Sequence, residues 1–190
     1  MNGDLLSALE LVVSAINFRN RIGWHSVNVA NYSVQTAQLF GWSKSTIDEI
    51  RIGALLHDIG QLFFTDEMIE KHKDSLTTSE LDLITRHPIE GANLIKRFPQ
   101  LDFALPFVLW HQENIDGSGY PFRLKGNEIP IEVQIVAISD VYEALTHSRH
   151  YINRGAYSYS KTIQQMKLYR GKHWQENVFD AFLEASRKWK

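Results

Sequence analysis

The sequence predicts an all-α fold, a helical bundle in a single domain. Three observations carry that expectation. Apolar residues recur at three- and four-residue spacing through most of the 190 residues. Capping residues and glycines stand where those runs should start and stop. No two alternating runs are joined by a hairpin turn, and there is no internal repeat or low-complexity stretch.

Taken in order, Leu5, Leu6, Leu9, Val12, Val13 and Ile16 fall on one helical stripe. They predict an N-terminal helix over residues 1–20, ahead of a main domain over 21–190. His25 to Leu39 repeats the pattern, with Gly41 as the stop. Ser43 or Ser45 caps a helix running to His57, and Gly60 is expected to end it. Thr77 or Thr78 caps a helix expected to finish before His87, with Pro88 in the first turn of the next. Leu101 to Glu113 reads as a further apolar helix. Residues 114–129 hold Gly117, Gly119, Pro121 and Gly126, and predict a long loop of the kind that often carries function. Pro130 opens a strongly apolar helix through Leu145. Two more are expected at Ser160–Tyr169 and Gln175–Trp189.

Composition narrows the chemistry. The hydrophobic content of 44% suits a folded domain, and the formal net charge of −2 gives no electrostatic case for DNA or a membrane surface. There is no cysteine, so disulfides and thiolate chemistry are excluded. Any metal must be held by nitrogen and oxygen, a set that suits Fe, Mn, Zn, Ni or Mg. No apolar run reaches membrane-spanning length and no secretory signal is evident, so the cytoplasm is the expected compartment.

The most informative residues are His57 and Asp58, which close the run Leu55-Leu56-His57-Asp58-Ile59-Gly60. Asp is hardly ever fully buried unless it is paired or bound to a metal. Adjacent side chains diverge by roughly 100° on a helix, so both reach one ion only at a helix end facing a cleft. A carboxylate has two oxygens, which makes Asp58 the natural bridge between two ions. His25 and Asp140 could complete one position, and His87 and His111 the other. Two cations about 3.5–4 Å apart would lower the pKa of a shared water and clamp a phosphodiester. Each residue alone has a plainer reading. A single His on an apolar helix is usually a hydrogen-bonded core residue, His87 could mark a helix boundary, and Asp140 could pair with Arg149. His72, His147, His150 and His173 lie in polar stretches and read as surface residues.

The ordered set resembles the HD-GYP domain, a branch of the HD-superfamily metal-dependent phosphohydrolases. The likeness runs from about His25 to about Tyr151, roughly two-thirds of the chain. It rests on His25-Ser26, the His57-Asp58 string, and His87 followed by Gly91-Ala92. It continues through His111, Glu113, Asp116-Gly117-Ser118-Gly119-Tyr120-Pro121, Gly126, Ile129-Pro130, Asp140-Val141-Tyr142, Ala144-Leu145-Thr146, Arg149 and Tyr151. The resemblance implies an all-helical fold with two or three metals, often iron or manganese, in the bundle core. It implies hydrolysis of a cyclic dinucleotide, cyclic di-GMP above all. Carried over by position, His25, His57, Asp58, His87, His111 and Asp140 are metal ligands. Gly117, Gly119, Tyr120 and Pro121 form a substrate-side loop, and Arg149 is a phosphate contact whose planar fork suits phosphate oxygens. Asp58 and Gln61 stand at the catalytic positions.

Three departures bear on activity. Gln112 follows His111 where the family has a second histidine, which predicts a weaker second metal position. Gln61 replaces a lysine expected to meet substrate phosphate. Arg21 stands where some relatives have a glutamate for a third metal, so two divalent ions are the expected maximum. These departures define the rival reading, a catalytically weak or silent domain that binds a nucleotide or a protein. A signalling partner or sensor domain would come from another chain or a longer parent.

Overall fold

The computed structural model describes residues 20–65, 68, 75–147 and 155–189, with backbone alone at 20–22. Helices α1 to α7 span Asn20–Ala37, Lys44–Leu56, Thr78–Ile95, Leu105–Trp110, Ile131–Thr146, Tyr159–Lys167 and Glu176–Ser186. Among the described residues no strand forms; Asp116 with Lys125 and Arg170 with Trp174 make isolated bridges. The all-α expectation holds. The helix expected over 1–20 lies outside the described residues but for Asn20.

Local chemistry sets the boundaries. Gly41, at φ 67°, ends the short 3₁₀ turn that follows α1. Ser43, not Ser45, caps α2; its hydroxyl accepts the Thr46 N–H at 3.2 Å. Thr77 caps α3 in a full capping box, accepting from Glu80 N–H at 3.3 Å while its own N–H donates to the Glu80 carboxylate at 2.8 Å. The expected loop over 114–129 separates α4 from α5 and holds a short 3₁₀ turn at Gly126–Glu128.

The expected boundaries need four corrections. α3 does not stop before His87 but continues through Pro88 to Ile95. α2 ends at Leu56, and Gly60 falls inside a separate 3₁₀ turn, Ile59–Phe63. The missing side chain of Gly60 serves packing instead: a Cβ there would run into the His87 carbonyl oxygen and the Gly91 nitrogen. The helix expected from Leu101 is split into a 3₁₀ turn, Pro99–Ala104, and α4. The last helix ends at Ser186, with Arg187–Trp189 in 3₁₀ form.

Two apolar clusters organise the packing. The larger gathers around α5, whose Val133, Ile135, Val136 and Ile138 meet Val29 of α1, Ile50 of α2, and Phe179 and Phe182 of α7. The smaller joins Leu56 and Ile59 to Ala92 and Ile95 of α3, and to Leu101, Ala104 and Val108. The His57-Asp58 pair sits in the chain between Leu56 and Ile59, so the packing of the smaller cluster fixes its backbone on both sides.

Gly60→Ala should therefore pry the 3₁₀ turn from α3. The expected cost is at least about 1–3 kcal/mol, the range for overpacking a filled contact. Urea unfolding measures it, and an unchanged midpoint would refute the close approach.

Candidate metal centre

The carboxylate of Asp58 lies just past the end of α2, buried and surrounded by four imidazoles. Its two oxygens are divided between them. Oδ1 is 3.3 Å from His87 Nε2 and 3.4 Å from His111 Nε2. Oδ2 is 3.5 Å from both His25 Nε2 and His57 Nε2. Asp140 of α5 adds Oδ1 at 3.2 Å from His25 Nε2 and 4.0 Å from His57 Nε2. The Nε2 atoms also face one another, at 3.3 Å for His25 and His57 and 3.1 Å for His87 and His111. The six side chains singled out in the sequence thus meet in one place. Five of them form two groups suited to an ion, His25–His57–Asp58 and Asp58–His87–His111, with Asp140 beside the first.

The other ring nitrogens explain why these Nε2 atoms point inward. α2 stops at Leu56, so the Ala54 carbonyl is one of the last four of that helix, and His57 Nδ1 donates to it at 2.7 Å. α4 stops at Trp110, and His111 Nδ1 lies 3.1 Å from the carbonyls of both Phe107 and Val108. In α3, Pro88 has no N–H to give Ile84, four residues back. His87 Nδ1 takes that freed carbonyl at 2.6 Å. His25 lies in the interior of α1 and turns to a side chain, with Nδ1 at 2.6 Å from Glu143 Oε2. A carbonyl can only accept, so each of those three rings carries its proton on Nδ1. In a neutral ring the Nε2 lone pair is then free.

Those lone pairs converge on two carboxylates, and the buried Asp58 Oδ1 has no hydrogen bond. A buried polar atom of that kind calls for a partner such as an ion. The donor set, imidazole nitrogen and carboxylate oxygen with the far nitrogens tied down, fits a divalent cation. The charges crowded into the cluster shift its proton affinities. Burial opposes a charge on His25, but Asp140 and Glu143 outweigh it and raise its pKa to about 10. Burial likewise opposes the charge on Asp140, yet His25 and His57 lower it to about 2. Asp58 is held well below the usual carboxylate range, because His57, His111 and His87 overcome its burial.

The loop beside the centre is built on Glu113. This buried carboxylate, at 2% exposure, accepts the backbone N–H groups of Phe122, Arg123 and Leu124 at 2.6, 3.1 and 3.0 Å. Gly119 is required where the loop folds back, since a Cβ would lie 2.5 Å from Asn114 N and Glu113 Cα. Gly117 has φ 80°. The Tyr120 ring meets His87 edge-on at 6.3 Å, and the peptide from Tyr120 to Pro121 is cis. Burial, and then the charges of Asp58 and Asp140, push the Tyr120 phenol pKa upward, so it remains a hydrogen-bond donor.

Other expectations fare differently. Gln112 does not face the His87–His111 pair; its amide nitrogen donates to Asp140 Oδ2 at 3.3 Å. Gln61 lies half-buried in the Ile59–Phe63 turn, three residues past Asp58, and its amide makes no hydrogen bond among the described residues. Arg149, His72, His150 and the side chain of Arg21 lie outside the described residues. His147 is half-exposed and lies 3.4 Å from Glu143. His173 is not a free surface group: it stacks on Tyr169 at 4.2 Å between ring centres. The sequence reading gave no role to Glu143, Asn28 or Glu113. Glu143 had a signal, since it stands three residues beyond Asp140 and shares its helix face.

The chain matches the profile of the HD domain family over residues 7–178. It belongs to the HD domain family. Among curated relatives it is 30% identical to a 3'3'-cGAMP-specific phosphodiesterase of Vibrio cholerae over 91% of this chain and 33% of that protein. It is 33% identical to a cyclic di-GMP phosphodiesterase of Pseudomonas aeruginosa, over 85% of this chain and 38% of the relative. It therefore spans well under half the length of these relatives. Among solved structures, the HD domain chain superposes on Bd1817, an HDGYP protein of Bdellovibrio bacteriovorus, with a TM-score of 0.71. That match has 18% identity and covers 96% of this chain and 63% of the other. The HD domain of the L. monocytogenes phosphodiesterase PgpH, solved with cyclic-di-AMP, gives 0.63 at 18% identity, covering 94% of this chain and 97% of that one. These likenesses support the HD-type helical fold around a His/Asp core. No described helix is long and apolar enough to cross a membrane.

Pro88→Ala should move stability and metal affinity in opposite directions. A restored N–H competes with His87 Nδ1 for the Ile84 carbonyl, while a helix-interior proline costs about 3 kcal/mol relative to alanine. The expected variant melts higher and binds Mn(II) more weakly, as read by calorimetric melting and titration. Affinity unchanged beside a raised melting point would sink the carbonyl-sharing account.

Proposed function

We propose that this domain is a metal-dependent phosphodiesterase acting on a cyclic dinucleotide, cyclic di-GMP first and the related 3'3'-cGAMP second. The observation that carries the reading is the division of the Asp58 carboxylate, one oxygen to each imidazole pair. His25, His57, Asp58 and Asp140 would hold one divalent cation, and Asp58, His87 and His111 a second. Iron or manganese is the first choice, with Zn, Ni and Mg compatible with the same nitrogen and oxygen donors. Two such ions supply Lewis acidity, lowering the pKa of a shared water and neutralising a scissile phosphate.

The protein's own groups divide the remaining work. Asp58 keeps both positions at a fixed spacing. The phenol of Tyr120, kept protonated, offers a donor beside His87. The Gly117–Pro121 stretch shapes the substrate side through its backbone, and Arg149 supplies a cation for phosphate. Gln61, with its amide unengaged, donates a hydrogen bond to phosphate but brings no charge. The names of the curated relatives support this substrate class. Regulation would come from a sensor domain or signalling partner, consistent with the greater length of those relatives.

A second reading, a domain that binds the nucleotide without turning it over, is favoured by Gln61 alone. Gln112, engaged with Asp140, takes no donor away from the His87–His111 pair.

Two substitutions test the assignment. Asp58→Ala should empty both metal positions, as counted by elemental analysis, because they share that carboxylate; full metal content would remove Asp58 as the bridge. In a cyclic di-GMP assay under Mn(II) or anaerobic Fe(II), the unmodified chain should release the linear dinucleotide or GMP, and Gln61→Lys should release it faster. Two bound ions with no product from either protein over hours would leave the binding module as the surviving reading.

A further inference from the structure

Three of the four imidazoles in the centre use backbone carbonyls to hold Nδ1, two at helix C-termini and one at the gap that Pro88 opens. His25 has no such resource. It sits in the body of α1, where the carbonyls are engaged by the helix itself. Its Nδ1 is held by Glu143 at 2.6 Å. Among the described residues, no other ring of the cluster has a carboxylate behind it.

Glu143 is itself held in place. The amide of Asn28 donates to its Oε1 at 3.4 Å, and His147 Nδ1 lies 3.4 Å from the same oxygen. Asn28 stands three residues after His25 on α1, and Glu143 three residues after Asp140 on α5. Two helices thus exchange a pair of side chains each, and the four groups interlock. The apolar packing of α5 does not need a buried carboxylate at this point; the ring of His25 does.

We propose that Glu143 is a positioning residue that locks His25 and makes the His25–His57–Asp140 half of the centre the tighter of two cation positions. This rests on the reading of the cluster as dinuclear. Two consequences of the geometry point the same way. A carboxylate hydrogen-bonded to a ligating imidazole fixes its orientation and raises its basicity, and loss of such a partner typically costs 10–100-fold in metal affinity. The donor count is also unequal. The Glu143 side offers two imidazoles and an oxygen from each of Asp58 and Asp140. The other side offers two imidazoles and one oxygen of the shared Asp58. The two positions should fill in order, with the Glu143 side first.

The test titrates metal-stripped full chain with Mn(II), following free Mn(II) by electron paramagnetic resonance. The unmodified protein should show two classes of site. Glu143→Gln should weaken the tighter class by about 10–100-fold and leave the weaker class nearly unchanged. A second readout needs no metal: the Nδ1–H proton of His25, held at 2.6 Å by Glu143, should resonate far downfield in the unmodified protein and lose that shift in the variant. Should Glu143→Gln fail to fold by circular dichroism, Asn28→Ala loosens the same lock from α1 and should produce a smaller loss confined to the tighter class. Equal weakening of both classes, or no weakening with the His25 Nδ1–H resonance unmoved, would overturn the role of Glu143. Absence of any Mn(II) uptake by the unmodified protein would instead overturn the dinuclear reading, before any variant is compared.

Discussion

Four Nε2 atoms gathered in pairs at 3.3 and 3.1 Å against one buried carboxylate are costly to hold together, and the rest of this structure is arranged around doing so. Four Nε2 atoms and the carboxylates of Asp58 and Asp140 occupy a space from which water is largely excluded. Such a cluster is stable when positive charge enters it, as a proton on His25 or as a metal ion. The scaffold sets the orientation beforehand. Unpaired main-chain carbonyls are ordinarily a cost of ending a helix. Here the ends of α2 and α4 and the proline gap in α3 turn that cost into anchors for imidazole rings.

Packing keeps the anchors in register. The larger apolar cluster carries α1 and α5, which bring His25 and Asp140; the smaller cluster carries α3 and the ends of α2 and α4, which bring the other three histidines and Asp58. The centre is therefore a joint between two packed bodies. The absence of a side chain at Gly60 lets the turn after Asp58 rest on the backbone of His87, so the spacing of the two halves is set by main-chain contact. A spacing fixed in that way responds little to side-chain motion, which suits two cations that must share one carboxylate.

Much of this was legible from residue order. The helical periods, the Ser43 and Thr77 caps, the long loop and the six His and Asp positions could all be read from residue type and spacing. What could not be read depended on which acceptor a side chain would find. Pro88 reads as a helix break because its effect on the ladder is local and unfavourable. Only the fold shows that His87 replaces the missing N–H. Gln112 reads as a poor ligand next to His111, but successive residues diverge in direction, and its amide meets Asp140 instead. Glu143 and Asn28 carry no motif of their own. Their roles come from α1 and α5 lying side by side, 118 residues apart in the chain at the His25–Glu143 contact.

The Glu113 cradle has a consequence for how such a domain can diversify. The carboxylate grips residues 122–124 by their main chain alone. Their path is thus independent of which side chains they bear, while Phe122, just beyond Tyr120 and Pro121, is 53% exposed. Arg123 already occupies a left-handed conformation, at φ 58°, that suits it poorly and that glycine or asparagine would accept more readily. Positions 122 and 123 form an interchangeable edge on a fixed frame. Lineages, or library designers, can rewrite the surface presented there without re-engineering the loop that carries it.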